Sequence, residues 1–361
     1  MERFWRTIEA SAAIGGTEAG GICRLSLSDE DKRMRDTLAG WARESGYKLL
    51  VDRIGNMFIR REGSQPDLPA VLVGSHLDTQ LPGGRFDGVL GVMAGLELLR
   101  TLDDRGVETK RAIEVVNWTN EEGARFPPLT LASRVFAGQA ELEWALDRKD
   151  HAGKTVRQEL ERIGYAGDAP VGGRVVDSYL ELHIEQAPEL DRRGIPVGIV
   201  VGAIPMRGMR IEVRGERAHV AGPPMHARKN ALVGAAMVAI AVNDIGNAHE
   251  AGGGKTTAVA INVTPNLPGI ISDRATLFID FRHPSPGELA NMETEVHAAI
   301  QAAAQRSHTD IEVAERWGND SFEFDRDLVQ LLRDTAARIE IDTFEMRSQA
   351  MHDAYPMNAV A

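Results

Sequence analysis

Apolar positions along this chain follow two rhythms. Between about residue 70 and residue 205, short apolar runs at 71–73, 113–118 and 179–184 alternate with stretches in which apolar residues recur every three or four positions, as in Val89, Val92, Met93, Leu96 and Leu99. Runs of the first kind read as buried strands and the longer period as helix faces. This half therefore predicts βαβ units and an α/β domain with a mostly parallel sheet. Residues 1 to about 60 read as a helical lead-in ending in a strand at 47–51, with 52–59 as a second extended piece. The polar, glycine-dotted stretch 147–174 reads as helix and loop between strands.

Near residues 202–207 the rhythm changes. A strand at 209–213, a helix at 228–245, strands at 257–263 and 275–281, a helix at 287–306 and a strand at 311–313 give the order β-α-β-β-α-β. That order predicts a ferredoxin-like sandwich. The expected division is a discontinuous first domain, 1–206 with 317–361, and an inserted domain, 207–316. A helix over 325–339 would return the chain to the first domain.

Composition narrows the partners. With 361 residues, 43% of them hydrophobic, the chain can fill two cores. Acidic residues outnumber basic ones 53 to 41, for a net charge of −12 without a long basic run. Neither nucleic acid nor an anionic membrane is an expected partner. Cys23 is the only cysteine, so a metal would have to sit on imidazoles and carboxylates rather than thiolates. The opening Met1-Glu2-Arg3-Phe4-Trp5 lacks an apolar signal segment, and no run is expected to reach the roughly 18 residues that span a bilayer. The expectation is a cytoplasmic small-molecule enzyme.

Candidate chemistry gathers at strand ends. His76 and Asp78 leave the carboxyl end of the strand at 71–73, where open α/β sheets place ligands. A glycine-rich turn then delivers Asp87 into the next helix. Glu121 and Glu122 follow the strand at 113–118, and His183 stands near the end of the one at 179–184. Each feature also has a plain reading: a polar strand end, a charge pair opening a helix, a hydrogen-bonded structural histidine. Together His76, Asp87, Glu122 and His183 make a nitrogen and oxygen donor set suited to a bridged pair of divalent ions.

The motifs His76-Leu77-Asp78, Gly84-Arg85-Phe86-Asp87-Gly88, Asn120-Glu121-Glu122-Gly123 and Glu181-Leu182-His183-Ile184-Glu185-Gln186 resemble those of the dinuclear-zinc amidohydrolases. These are the L-carbamoylases, β-ureidopropionases and allantoate amidohydrolases of the aminoacylase and carboxypeptidase superfamily. The resemblance implies that His76 and His183 bind one metal, Asp87 bridges, Glu122 binds the second, Asp78 orients His76, and Glu121 is the general base. It implies zinc, with manganese, cobalt or nickel as alternatives, a carboxylate substrate, and a homodimer formed through the inserted domain. There His219 would stabilise the oxyanion and Arg282 would clamp the substrate carboxylate; Gln186 would line the substrate pocket.

Some positions depart from that pattern. Ala218 replaces an Asn, and Gly269 stands where a substrate-binding Asn is usual, with Asn266 nearby as a substitute. Ile204 stands in place of a Gln, and Gln349 and Met351 replace glycines just before His352 and Asp353. The family continues beyond this motif to a Ser-His segment whose histidine completes the second metal site. The chain as given lacks it, with His352 as a conceivable substitute. The implied activity is hydrolysis of an N-carbamoyl-L-amino acid or β-ureido acid to the amino acid, ammonia and carbon dioxide. The alternatives are a catalytically impaired dimeric relative or fragment, and an allantoate amidohydrolase, aminoacylase or peptidase on the same scaffold.

Overall fold

A computed structural model describes residues 2–361. The chain forms two compact units, Met1–Gly194 with Ala350–Ala361, and Ile195–Gln349. In the first, helices α1 (Glu2–Ala12) and α2 (Asp29–Glu44) precede strands β1 (Lys48–Val51), β2 (Met57–Arg61) and β3 (Ala70–His76). Then come α3 (Val89–Asp104), β4 (Ile113–Trp118), the short helices α4 (Leu131–Phe136), α5 (Leu142–Leu146) and α6 (Val156–Ile163), β5 (Val176–Leu180) and α7 (Glu189–Arg193).

The five strands run β1-β2-β4-β3-β5. Only β4/β3 and β3/β5 are parallel; β1/β2 and β2/β4 are antiparallel. The sheet is therefore mixed rather than mostly parallel, because residues 52–56, expected to be extended, form a tight turn. Asp52 Oδ1 accepts the backbone N–H groups of Ile54 (3.1 Å) and Asn56 (2.9 Å), which folds β2 back as a hairpin. One face of the sheet meets α2 and α3 through Met34, Leu38, Val92, Leu96 and Val115, and the other buries Phe58, Leu72, Trp118 and Phe136. Burial on both faces leaves the strand ends as the place for polar chemistry.

The second unit contains β6 (Val197–Ala203), β7 (Met206–Arg214), β8 (Ala218–His219), α8 (Ala231–His249), β9 (Lys255–Thr264), β10 (Ile270–Ile271), β11 (Arg274–Arg282) and α9 (Pro286–Ser307). It continues with β12 (Asp310–Asn319), β13 (Phe322–Glu323), α10 (Arg326–Arg338) and β14 (Thr343–Ser348), and α11 (Ala354–Met357) follows in the first unit. An antiparallel sheet, β12-β7-β11-β9, carries α8 and α9 on one face through Ile211, Leu277, Val238, Val242, Met292 and Val296. Its element order is β-α-β-β-α-β, interrupted by the small β8/β10 pair.

A separate sheet, β13-β6-β14, belongs to this unit, and the compact division falls at 194 and 350. β6 pairs in parallel with β14 and antiparallel with β13, and α10 packs on β6, so residues 195–206 and 317–349 stay with the second unit. One segment, Ala231–Gly252, is long and apolar enough to cross a membrane, contrary to expectation. Its buried positions, Ala231, Ala235, Val238, Val242 and Ile245, belong to the core of this unit.

Candidate metal centre

The parallel pair β3/β4 places His76 opposite Trp118, so the turns after both strands open at one sheet edge. The side chain of His76 is 1% exposed. Its Nδ1 lies 2.9 Å from the Asp78 backbone carbonyl, which fixes the tautomer with the proton on Nδ1 and leaves the Nε2 lone pair free. That Nε2 faces Glu121 Oε2 at 3.5 Å and Asp87 Oδ1 at 3.9 Å. His183, expected within a strand, lies in the loop past the end of β5. Its Nδ1 donates in the same way to the Ile184 carbonyl at 3.0 Å, and its Nε2 stands 3.1 Å from Asp87 Oδ1.

Asp78 has partners beyond His76, the one the sequence suggested. Its carboxylate lies 3.9 Å from His76 Nδ1, and it accepts the backbone N–H groups of Glu121 (3.2 Å) and Glu122 (3.3 Å). It thereby ties the β4 turn to the β3 turn. Thr119, at the start of that turn, is held from elsewhere: its N–H donates to Asn56 Oδ1 (3.0 Å), and its hydroxyl accepts from Arg35 Nη2 (3.2 Å). Arg35 itself is clamped by buried Asp31 at 2.8 Å.

Electrostatics mark the place as short of positive charge. Burial, followed by the charges of Asp353, Glu122, Asp78 and Glu181, pushes the Glu121 carboxyl well above its usual range. Burial likewise raises Asp78 to about 6. Asp87 goes down, to about 2, because the His183 and His76 imidazoles outweigh its partial burial. Burial, with His183 and His76 adjacent, holds the His352 ring neutral; it stacks 4.2 Å from His183, centroid to centroid.

The donors fit a divalent cation. His76, Asp87 and His183 offer ligand atoms all within 4.8 Å of one another. Asp87 Oδ1, His183 Nε2, Glu121 Oε1 and Glu122 Oε1 are buried without a hydrogen-bond partner. Orphaned atoms of this kind are costly in an interior unless a cation satisfies them. A second group, Glu181, His183 and His352, is equally close, but both Glu181 oxygens are already taken, by Ser75 Oγ (2.7 Å) and the Ala354 N–H (2.8 Å). Glu122 belongs to neither group; its Oε2 accepts from Gln80 Nε2 at 2.8 Å. Gln186 donates to Asp87 Oδ2 at 3.0 Å.

The remaining sequence candidates lie in the second unit. His219 is exposed on β8, where its Nδ1 accepts the Ala221 N–H at 3.2 Å. Asn266 is exposed in the loop before β10. Arg282 ends β11, paired with Asp280 and donating to the Gln349 carbonyl.

A model of the peptidase family M20/M25/M40 matches residues 72–361. The chain belongs to this family. Its members are metal-dependent, in keeping with the ligand groups described above. An N-carbamoyl-L-amino-acid amidohydrolase of Rhizobium meliloti is 38% identical over 355 residues, covering 98% of this chain and 85% of the relative. A ureidoglycolate hydrolase of Oryza sativa is 29% identical, covering 99% and 75%. Among solved structures, a hydantoinase/carbamoylase family amidase from Burkholderia vietnamiensis superposes with a TM-score of 0.95 at 42% identity, covering 99% of this chain and 87% of that one. The sequence missed Arg24, Arg35, Asn56 and Glu181. All four act on the site through hydrogen bonds to residues distant in sequence, for which no local pattern exists.

Proposed function

We propose that this protein hydrolyses the linear amide C–N bond of an N-carbamoyl-L-amino acid or β-ureido acid, giving the amino acid, ammonia and carbon dioxide. The observation that carries this reading is the convergence of His76 Nε2, His183 Nε2 and Asp87 Oδ1 beside the Glu121 carboxylate, whose Oε1 is buried without a hydrogen-bond partner. His76, Asp87 and His183 would hold one ion, and Glu122 with Asp87 would hold a second, zinc foremost, with manganese, cobalt or nickel able to replace it. Bound there, the ions would acidify water and polarise the substrate carbonyl.

Glu121 accepts the proton of the attacking water and returns it to the leaving nitrogen, a role suited to a carboxyl whose affinity for protons is raised by burial. Asp78 keeps Glu121 in reach of His76 by holding its backbone N–H. Arg282 binds the substrate carboxylate, His219 donates to the developing oxyanion, and Gln186, Asn266 and His352 contact the rest of the substrate. The likeness to the R. meliloti and B. vietnamiensis proteins supports the substrate class.

The test is release of ammonia from a panel of N-carbamoyl-L-amino acids and β-ureido acids. Activity should vanish on dialysis against a chelator and return with zinc or manganese. A metal-free, inert protein would leave the impaired-relative reading. The rice relative favours one second substrate, ureidoglycolate, which the same assay includes.

The second unit would serve as the ferredoxin-like lid and as the surface of a homodimer. Strand β9 is the sheet's edge, and Val259 and Ile261 on it are exposed, as is Ile240 on the neighbouring α8. An uncapped apolar edge of this kind invites pairing with a second copy. Val259→Lys should therefore convert a dimer to a monomer in analytical ultracentrifugation, and a wild-type monomer would sink the idea.

A further inference from the structure

Arg24 is fully buried, yet among the described residues no carboxylate pairs with it. It lies on the extended segment between α1 and α2. Its Nε donates to the Leu77 carbonyl at 2.7 Å, between His76 and Asp78. Its backbone N–H reaches Thr79 Oγ1 at 3.0 Å, and its own carbonyl accepts the Thr79 N–H at 2.9 Å. The far side of the guanidinium donates to the Ser11 and Ile14 carbonyls, 3.0 and 3.2 Å away at the end of α1, and to Ser11 Oγ at 3.2 Å. One side chain thus grips the turn that carries the buried imidazole and the acid tying Glu121 in place.

A neutral donor could satisfy the same carbonyls without burying a cation, which is expensive in an apolar interior. The charges of Asp31 and Asp78 offset part of that cost, and burial lowers the Arg24 pKa only to about 10, so it stays charged at neutral pH. The guanidinium fork also suits the task, since it can donate to two chain segments at once where an ammonium offers a single point.

We infer that Arg24 is a positioning residue for the metal centre: its fork fixes the 76–79 turn to the end of α1. This rests on the metal reading of His76, Asp87 and His183. Residues that orient ligands in this way typically change metal affinity or activity by about 10- to 100-fold when replaced.

The test uses the full chain stripped of metal and titrated with zinc against a chromophoric competitor. Arg24→Lys keeps the charge and loses the fork, so zinc affinity should fall by about 10- to 100-fold. At saturating zinc, kcat should fall while KM for the ureido substrate stays put. Ser11→Ala, which removes only the Oγ contact on the far side, should lower the melting temperature and leave zinc affinity unchanged. If Arg24→Lys does not melt cooperatively, both it and the wild type are titrated in the same trimethylamine N-oxide solution, which strengthens folding without touching the site. A folded Arg24→Lys protein that binds zinc as tightly as the wild type overturns the inference and leaves the metal reading standing. A wild type that takes up no divalent ion overturns both.

Discussion

Glu121→Gln lowers kcat for ureido hydrolysis by about 10²- to 10⁴-fold, the usual worth of a positioned general base, with little change in KM or in bound metal. The substitution preserves shape and both backbone hydrogen bonds of the turn, since Asp78 holds residue 121 by its main chain. What it removes is the ability to carry a proton. Glu121 lies outside both ligand-competent groups, so metal content should hold while turnover collapses. Steady-state ammonia release together with metal analysis of the purified variant checks this. Near-normal kcat in a metal-loaded Glu121→Gln protein would remove Glu121 from the mechanism.

Gly88→Ala acts on the ion instead. Gly88 has φ +65° and forms the N-cap of α3. A Cβ there would lie 2.4 Å from His76 Cε1 and 2.5 Å from both ring nitrogens. The backbone barrier alone costs about 1–3 kcal/mol, and the ring has to leave its place for the methyl group to fit. The expected result is a weakening of zinc binding by about 100-fold, at the upper end of what ligand misplacement does, with a smaller loss in melting temperature. Metal titration and thermal melting of the same preparation separate the two. Wild-type affinity in a folded Gly88→Ala protein would mean that His76 is not a ligand.

Much of the site could be read from sequence because it sits where short apolar runs end, and a run's end can be seen locally. That rule points to His76, Asp78, Glu121 and Glu122, and a glycine-rich turn adds Asp87. His183 was assigned to a strand, although β5 stops at Leu180 and the residue lies in the loop beyond. Apolar Leu182 and Ile184 mimic the strand pattern there without pairing. The mixed sheet escaped because strand direction depends on the turn at Asp52, whose hydrogen bonds are invisible to periodicity. The β6/β14 pair escaped because its partners, Val197–Ala203 and Thr343–Ser348, are far apart in sequence. The same distance hid the buried arginines, since Arg24 and Arg35 act on Leu77 and Thr119.

The double grip of Asp78 on the N–H groups of residues 121 and 122 has a genetic corollary. Two segments that share one anchor cannot degrade independently, so damage to either should surface as one common defect. Lineages drifting away from this chemistry would then abandon it abruptly, and intermediates retaining half of the machinery should be scarce.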